Sequence, residues 1–228
     1  MALTEVAICN MALSRLGISR VLTGDVDGTL AACTDSTVAK AMLDIWYPRK
    51  RNALLEMYPW SFALKYATLV LNDDGDGEIW EDEWDYAYTY PSDCLRMRRF
   101  VTDTGTGWYL TGYQESYRFR PEPWPFVVGT HGTPPVKVIF TDVTTSDADV
   151  EYTALVTDAG LFPEDFSSGL AWLLSAEVAR PMSVDNKRAM EAEQAAQYIL
   201  SAAAASNKNE QEPRPEGDGT FVTSRWGS

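Results

Sequence analysis

The sequence predicts an α+β fold: a helical domain built from N-terminal and C-terminal helices, an inserted antiparallel β region and an extended C-terminal tail. Three observations point there. Apolar residues recur at helical spacing near both ends of the chain. The middle is a series of short aromatic and β-branched runs separated by Gly, Pro, Asp and Thr clusters. After Asn207 the composition turns polar and rich in Pro and Gly. The expected divisions are 1–62 for the N-terminal helices, 63–157 for the β-rich insert, 158–206 for C-terminal helices packing with 1–62, and 207–228 for the tail.

The first helix is expected over 3–16. Val6, Met11 (or Asn10), Leu13 and Leu16 hold one face, and Gly17 stands where a helix stops. The turn-rich "GISRVLTGDVDGTLA" follows. Asp35 or Ser36 can cap a second helix, in which Val38, Met42, Ile45 and Trp46 fall at helical spacing. Pro48 either kinks that helix or opens a new one, and the helical character of "RKRNALLEMY" continues to Pro59.

The period then changes. "FALKYATLVLN", "WDYAYTYPSD", "CLRMRRFVT", "WYLTGY", "YRFR", "PFVVG", "VKVIFTDV" and "DVEYTALVT" read as strands, with Pro121, Pro123 and Pro125 forming a stiff extended crossing. Helices return at Pro163, with Phe166, Leu170, Leu173, Leu174 and Val178 on one side up to Pro181. Ser183 can cap the last helix, whose Ala189, Ala192, Ala196, Ile199 and Ala203 form a stripe of mostly small residues. Such a stripe permits close helix approach, within the chain or to a neighbouring copy. In the tail, Phe221, Val222 and Trp226 are the sizeable apolar groups. With Arg225 they are the expected anchors, either on a partner or back on the same chain.

Composition bounds the function. The 228 residues carry 33 acidic and 19 basic side chains, a formal charge of −14. That charge opposes a phosphate-gripping surface at long range. With 45% hydrophobic and 12% aromatic residues the chain can bury a core. No run approaches the ~18–20 apolar residues of a membrane span, and no signal peptide is expected. Cys9, Cys33 and Cys94 form no close pair, which fits a reducing compartment. With a single histidine, His131, three cysteines so scattered lack the ligand spacing of a structural zinc site, which needs about four N or S ligands. No cofactor and no metal are expected.

Candidate chemistry is sparse. A Ser–His or Cys–His pair must use His131, which lies in the Gly- and Pro-rich "VVGTHGTPP" and reads as a turn residue. The acidic run "DDGDGEIWEDEWDY" supplies carboxylates near Trp80 and Trp84, the ingredients of a glycosidase, but carboxylates in a consecutive run usually form a solvated loop. Within it, Asn72, Asp74, Asp76, Gly77, Ile79 and Glu83 approach the spacing of a calcium-binding EF-hand loop. Position one is Asn where Asp is expected, and the flanks read as strands where the motif has helices. Arg49, Lys50 and Arg51 form a basic cluster, either a solvated face or a pairing surface for a neighbouring subunit, as Ala192 and Ala196 are for helix packing between copies. No catalytic residue is assigned.

The strings "ICNMALSRLG", Ala31-Ala32-Cys33, "YPRKRNALLEMYPWSFA" at 47–63, "WDYAYTYPSDCLR" at 84–96 and "YTALVTDAGLFPEDFSSGLAWLLSAEVA" at 152–179, in that order, resemble the head-to-tail adaptor proteins of tailed bacteriophages, also called tail tubular protein A or head–tail connectors. The resemblance spans about residues 3–206 and is strongest at Pro59, Trp60, Phe62 and Ala63 and at Pro91, Ser92, Asp93 and Cys94. It implies a virion structural protein, not an enzyme, made in the host cytoplasm and placed in the neck between capsid and tail. It implies a homo-oligomeric ring, usually twelve copies, below the portal protein, with a tail or nozzle protein docking beneath. DNA passes through the lumen without specific binding, and acidic loops are expected to line that lumen. The C-terminal segment is expected on the portal. The alternatives are a lower neck or tail completion protein and a carbohydrate-binding or glycosidase β module using Trp80 and Trp84.

Overall fold

The computed structural model describes residues 3–19, 22–23, 28–72, 83–101, 124–132, 134–144, 148–182 and 184–210. They form a mixed α+β fold in two compact units. One comprises the described residues up to Leu64 together with those from Thr153 onward, and the other is Lys65–Tyr152. The chain therefore leaves the helical unit once and returns to it once.

The helical unit begins with α1, Glu5–Arg15. Thr4 caps it, its hydroxyl accepting from the Ala7 N–H at 3.1 Å. Gly17, at φ 75°, ends it. The Ile18 N–H donates to the Leu13 carbonyl and the Gly17 N–H to that of Ser14, the pairing that a left-handed residue after the last turn makes possible. Val6, Cys9, Ala12, Leu13 and Leu16 are buried.

Helix α2 runs unbroken over Val38–Met57 with Pro48 inside it. Its cap is Thr37, whose hydroxyl accepts from the Lys40 N–H at 3.1 Å. Neither Asp35 nor Ser36 has that role, because the Asp35 carboxylate is taken by the backbone N–H of Thr23. The inward face is also not the apolar period that the sequence displays most plainly. Ala39, Leu43, Tyr47, Leu54 and Leu55 are buried, while Val38 and Ile45 are exposed and Met42 and Trp46 half-buried. The helix is apolar on two sides, and periodicity alone picked the outer one.

Helix α3, Glu164–Ala179, packs against α1, α2 and α4 (Asn186–Glu210). Its contact with α4 depends on Gly169, where a Cβ would overlap the Leu200 side chain. The stripe facing inward from α4 is Ala189, Ala192, Ala196, Leu200 and Ala203, so Leu200 replaces the expected Ile199, which is half-buried. The expected cap Ser183 lies outside the described residues. Asp185 meets the first turn instead, its carboxylate accepting from the Lys187 N–H at 3.1 Å. Asn207, expected to begin the tail, is helical and buried. Its amide oxygen accepts from the Ser61 N–H at 2.9 Å and the Ser61 hydroxyl at 2.8 Å, and its amide nitrogen donates to the Pro59 carbonyl at 3.0 Å.

Between those ends sits an aromatic cluster. Trp60 meets Phe166 edge-on at 5.2 Å, Phe62 meets Phe166 at 5.1 Å, and Phe162 meets Phe166 at 4.9 Å. The Trp60 indole N–H donates to the Leu54 carbonyl at 2.8 Å. The strings that carry the resemblance, "PWSFA" and "LFPEDF", thus meet in one core.

Among the described residues the β unit holds two three-stranded sheets. In one, β6 (Asp149–Ala154) lies between β1 (Leu64–Thr68) and β3 (Cys94–Phe100). Glu151 on β6 accepts from the Tyr66 hydroxyl on β1 at 2.9 Å and from Arg99 Nη2 on β3 at 2.6 Å, a row of polar groups across the sheet. In the other, β5 (Val136–Thr141) pairs antiparallel with β2 (Tyr86–Thr89) and β4 (Phe126–His131). Tyr88, Val138 and Ile139 are buried there, and the Tyr88 hydroxyl donates to the Val143 carbonyl at 2.6 Å. The expected strands "WYLTGY" and "YRFR", with Pro121 and Pro123, lie outside the described residues.

Candidate functional site

The residues singled out for chemistry have ordinary structural surroundings where they are described. His131 ends β4 and is buried. Cys9 and Cys33 are buried, and burial, with Glu5 beside it, pushes the Cys9 thiol up, away from the reactive thiolate. Cys94 is half-buried, and its thiol is also raised by burial. Of the calcium-like pattern, Asp74, Asp76, Gly77 and Ile79 lie outside the described residues, as does Trp80. The flanking chain is extended, since Leu71 bridges Tyr88 and Tyr86 opens β2, so the helices of an EF-hand are not there. Among the described residues no group of three His, Cys, Asp or Glu side chains is placed to hold a metal ion. Among them, too, no helix is long and apolar enough to cross a membrane.

The basic cluster divides. Arg49 is exposed, its guanidinium 5.9 Å from the Trp46 ring centroid. Lys50 pairs with Glu177 of α3 at 2.5 Å. Arg51 turns inward to Glu5 of α1 at 3.6 Å and lies over the Tyr47 ring. Tyr47 is buried, and its hydroxyl makes no hydrogen bond among the described residues. Burial, with Glu5 nearby, pushes that phenol up. Glu5 also accepts from the Leu30 N–H at 2.9 Å, so the carboxylate holds both the loop before α2 and α2 itself. Arg51 is therefore an internal strut, not a surface group.

Ala192 and Ala196 are 2% and 0% exposed within the helical unit. Their close approach is made inside the chain, and no surface is left on them for a neighbouring copy. Phe221, Val222, Arg225 and Trp226 lie outside the described residues.

What the described surface offers is apolar area on well-formed elements. On α2, Val38 is 60% and Ile45 45% exposed, with Ala41 exposed and Met42 and Trp46 half-buried around them. On α4, Met190 is 62% and Tyr198 76% exposed. In the β unit, β4 is an edge strand among the described residues, and both Val127 and Val128 are exposed although they point to opposite faces. Neither a family model nor a curated protein matches the chain. The candidate site is accordingly a set of contact surfaces. The α2 set was visible in the sequence as an apolar helical period. Met190 and Tyr198 gave a weaker signal, two isolated large side chains on a polar face.

Proposed function

We propose that this chain is a structural head-to-tail adaptor of a tailed bacteriophage, a virion neck protein that forms a ring below the portal protein, continues the DNA channel and receives a tail or nozzle protein. The observation that carries the reading is the presence of large exposed apolar side chains on two separate helices of one unit, α2 and α4, in a chain of net charge −14. A monomer with that much like charge gains solubility from it and gains nothing from such faces. A subunit enclosed by neighbours uses both. The ordered strings of the sequence resemblance add to this, as does a helical unit assembled from the segments that precede and follow the β insert in the sequence. Acidic side chains toward the lumen suit DNA that must slide, because a basic lining would hold phosphates. The tail residues Phe221, Val222, Arg225 and Trp226 are proposed to grip the portal protein.

Mass photometry of the full chain, alone and with a purified portal complex, tests the reading. A ring-sized mass, or saturable loading onto the portal that is lost on deleting 211–228, is the expected result. A chain that stays monomeric and ignores the portal overturns it.

A further inference from the structure

We infer that the ring is closed head to tail by one specific pairing: the outer face of α2 on one copy docks on the outer face of α4 on the next. The inference rests on the ring reading and adds the partner surface. Each face is exposed on the side of its helix opposite the residues packed inside the unit. On α2, Val38, Ala41 and Ile45 stand opposite the buried Leu43, Tyr47 and Leu54. On α4, Met190, Gln194 and Tyr198 stand opposite the buried Ala192, Ala196 and Leu200.

The two faces suit each other in length and charge. Val38 and Ile45 are separated by about two helical turns, and so are Met190 and Tyr198, which lets side chains of one fill the spaces of the other. Beyond Ile45 the α2 face carries the cation Arg49, with Glu56 about two turns further on, while the exposed charges around Met190 on α4 include Lys187, Glu191 and Glu193. Asp44, the acidic group beside the α2 face, is held by Lys40 at 2.6 Å, and Lys187 is drawn to Glu191 at 3.8 Å. Copies that each carry −14 repel one another, so they meet most readily through faces poor in charge or opposite in sign. Two different faces on one body make a heterologous contact, and a heterologous contact whose rotation closes generates a ring. An isologous contact of α2 with α2 would stop at two chains.

The test uses two full-length variants, Ile45→Glu to block the α2 face and Tyr198→Glu to block the α4 face. Both positions are exposed, so melting temperatures should match the parent. Mass photometry is run on each alone, on their mixture, and on each with the portal complex. Each variant alone should assemble at least about thirtyfold more weakly than the parent, the loss of one interface anchor. The mixture should give a two-chain species, because the intact α4 face of one variant meets the intact α2 face of the other. A parent ring with either variant still forming rings of parental mass overturns this pairing and leaves the adaptor reading standing. So does a mixture that stays monomeric. A parent chain that forms no ring, alone or on the portal, overturns both.

Discussion

Asp93 accepts from Lys65 Nζ at 2.6 Å and from the Tyr152 hydroxyl at 2.9 Å. The lysine bond, opposed by partial burial and aided by the tyrosine, holds its carboxyl below the ordinary 3.8. A depressed carboxyl contributes stability that is complete above its ordinary value and is lost as pH falls through the folded one. Thermal melts between about pH 5 and pH 2 should therefore lose stability on the acid side, and Asp93→Asn should flatten that limb. The effect is expected to stay under about 1 kcal/mol, because Lys65 and Asp93 are well exposed to solvent. Trp60 is a larger matter. Trp60→Ala removes a buried ring and its bond to Leu54, and should cost about 3–5 kcal/mol by chemical denaturation of the helical unit. The importance of Trp60 was legible from its place in "PWSFA". The inward turn of Arg51 was not, since its partner Glu5 is distant in sequence and a basic run reads as solvated. Lys40 is also buried, although its partner Asp44 is only four residues away.

At the scale of elements, α3 and α4 approach through Gly169 and Leu200, so the pair is sensitive to a single methyl group. Gly169→Ala should destabilise by about 1–3 kcal/mol despite the better helix propensity of alanine, and Leu200→Ala combined with it should recover part of the loss. A double-mutant cycle on melting free energies checks this. The last turn of α4 is held by Asn207. Asn207→Ala should leave the Ser61 N–H and the Pro59 carbonyl without these partners and raise amide exchange in that turn, with little change near Asp185. The existence of all four helices followed from apolar period and stop signals. The strands described follow the aromatic and β-branched runs closely. Orientation was harder: α2 has apolar residues at two phases, and choosing between them required knowing that α1 and α3 pack on the side of Leu43 and Tyr47. Caps moved for a related reason, since Asp35 was claimed by Thr23 from across a turn.

For the whole molecule, the sequence was enough to give the α+β class, because helical and strand periods occupy separate stretches. It was not enough to give the contact surfaces, which depend on which apolar residues remain exposed after folding. The β unit is an insertion whose entry and exit are close together. The Leu69 N–H donates to the Ala148 carbonyl and the Tyr66 hydroxyl to Glu151, so β1 and β6 run in opposite directions, and continuing that register brings Leu64 opposite Thr153. Replacing 65–152 by a short Gly-Ser linker should therefore leave a cooperatively unfolding helical protein, measurable by circular dichroism during a denaturant titration. Failure to fold would mean that the helical unit depends on its insert.

The same doorway governs how the chain bears load. If tension is applied between α1 and the end of α4, the force runs through the helical unit along helix contacts and the Trp60 cluster. The inserted strands join the helical unit through β1 and β6, which are neighbours in one sheet. They feel the pull only after the helical unit has opened between Leu64 and Thr153. In an optical-tweezers experiment with handles at those two helices, the first rupture should release helical chain length, and the β unit should yield in a later, separate step. A chain pulled at those helices would thus open first where its two ends pack together, and its sheets would unfold afterwards.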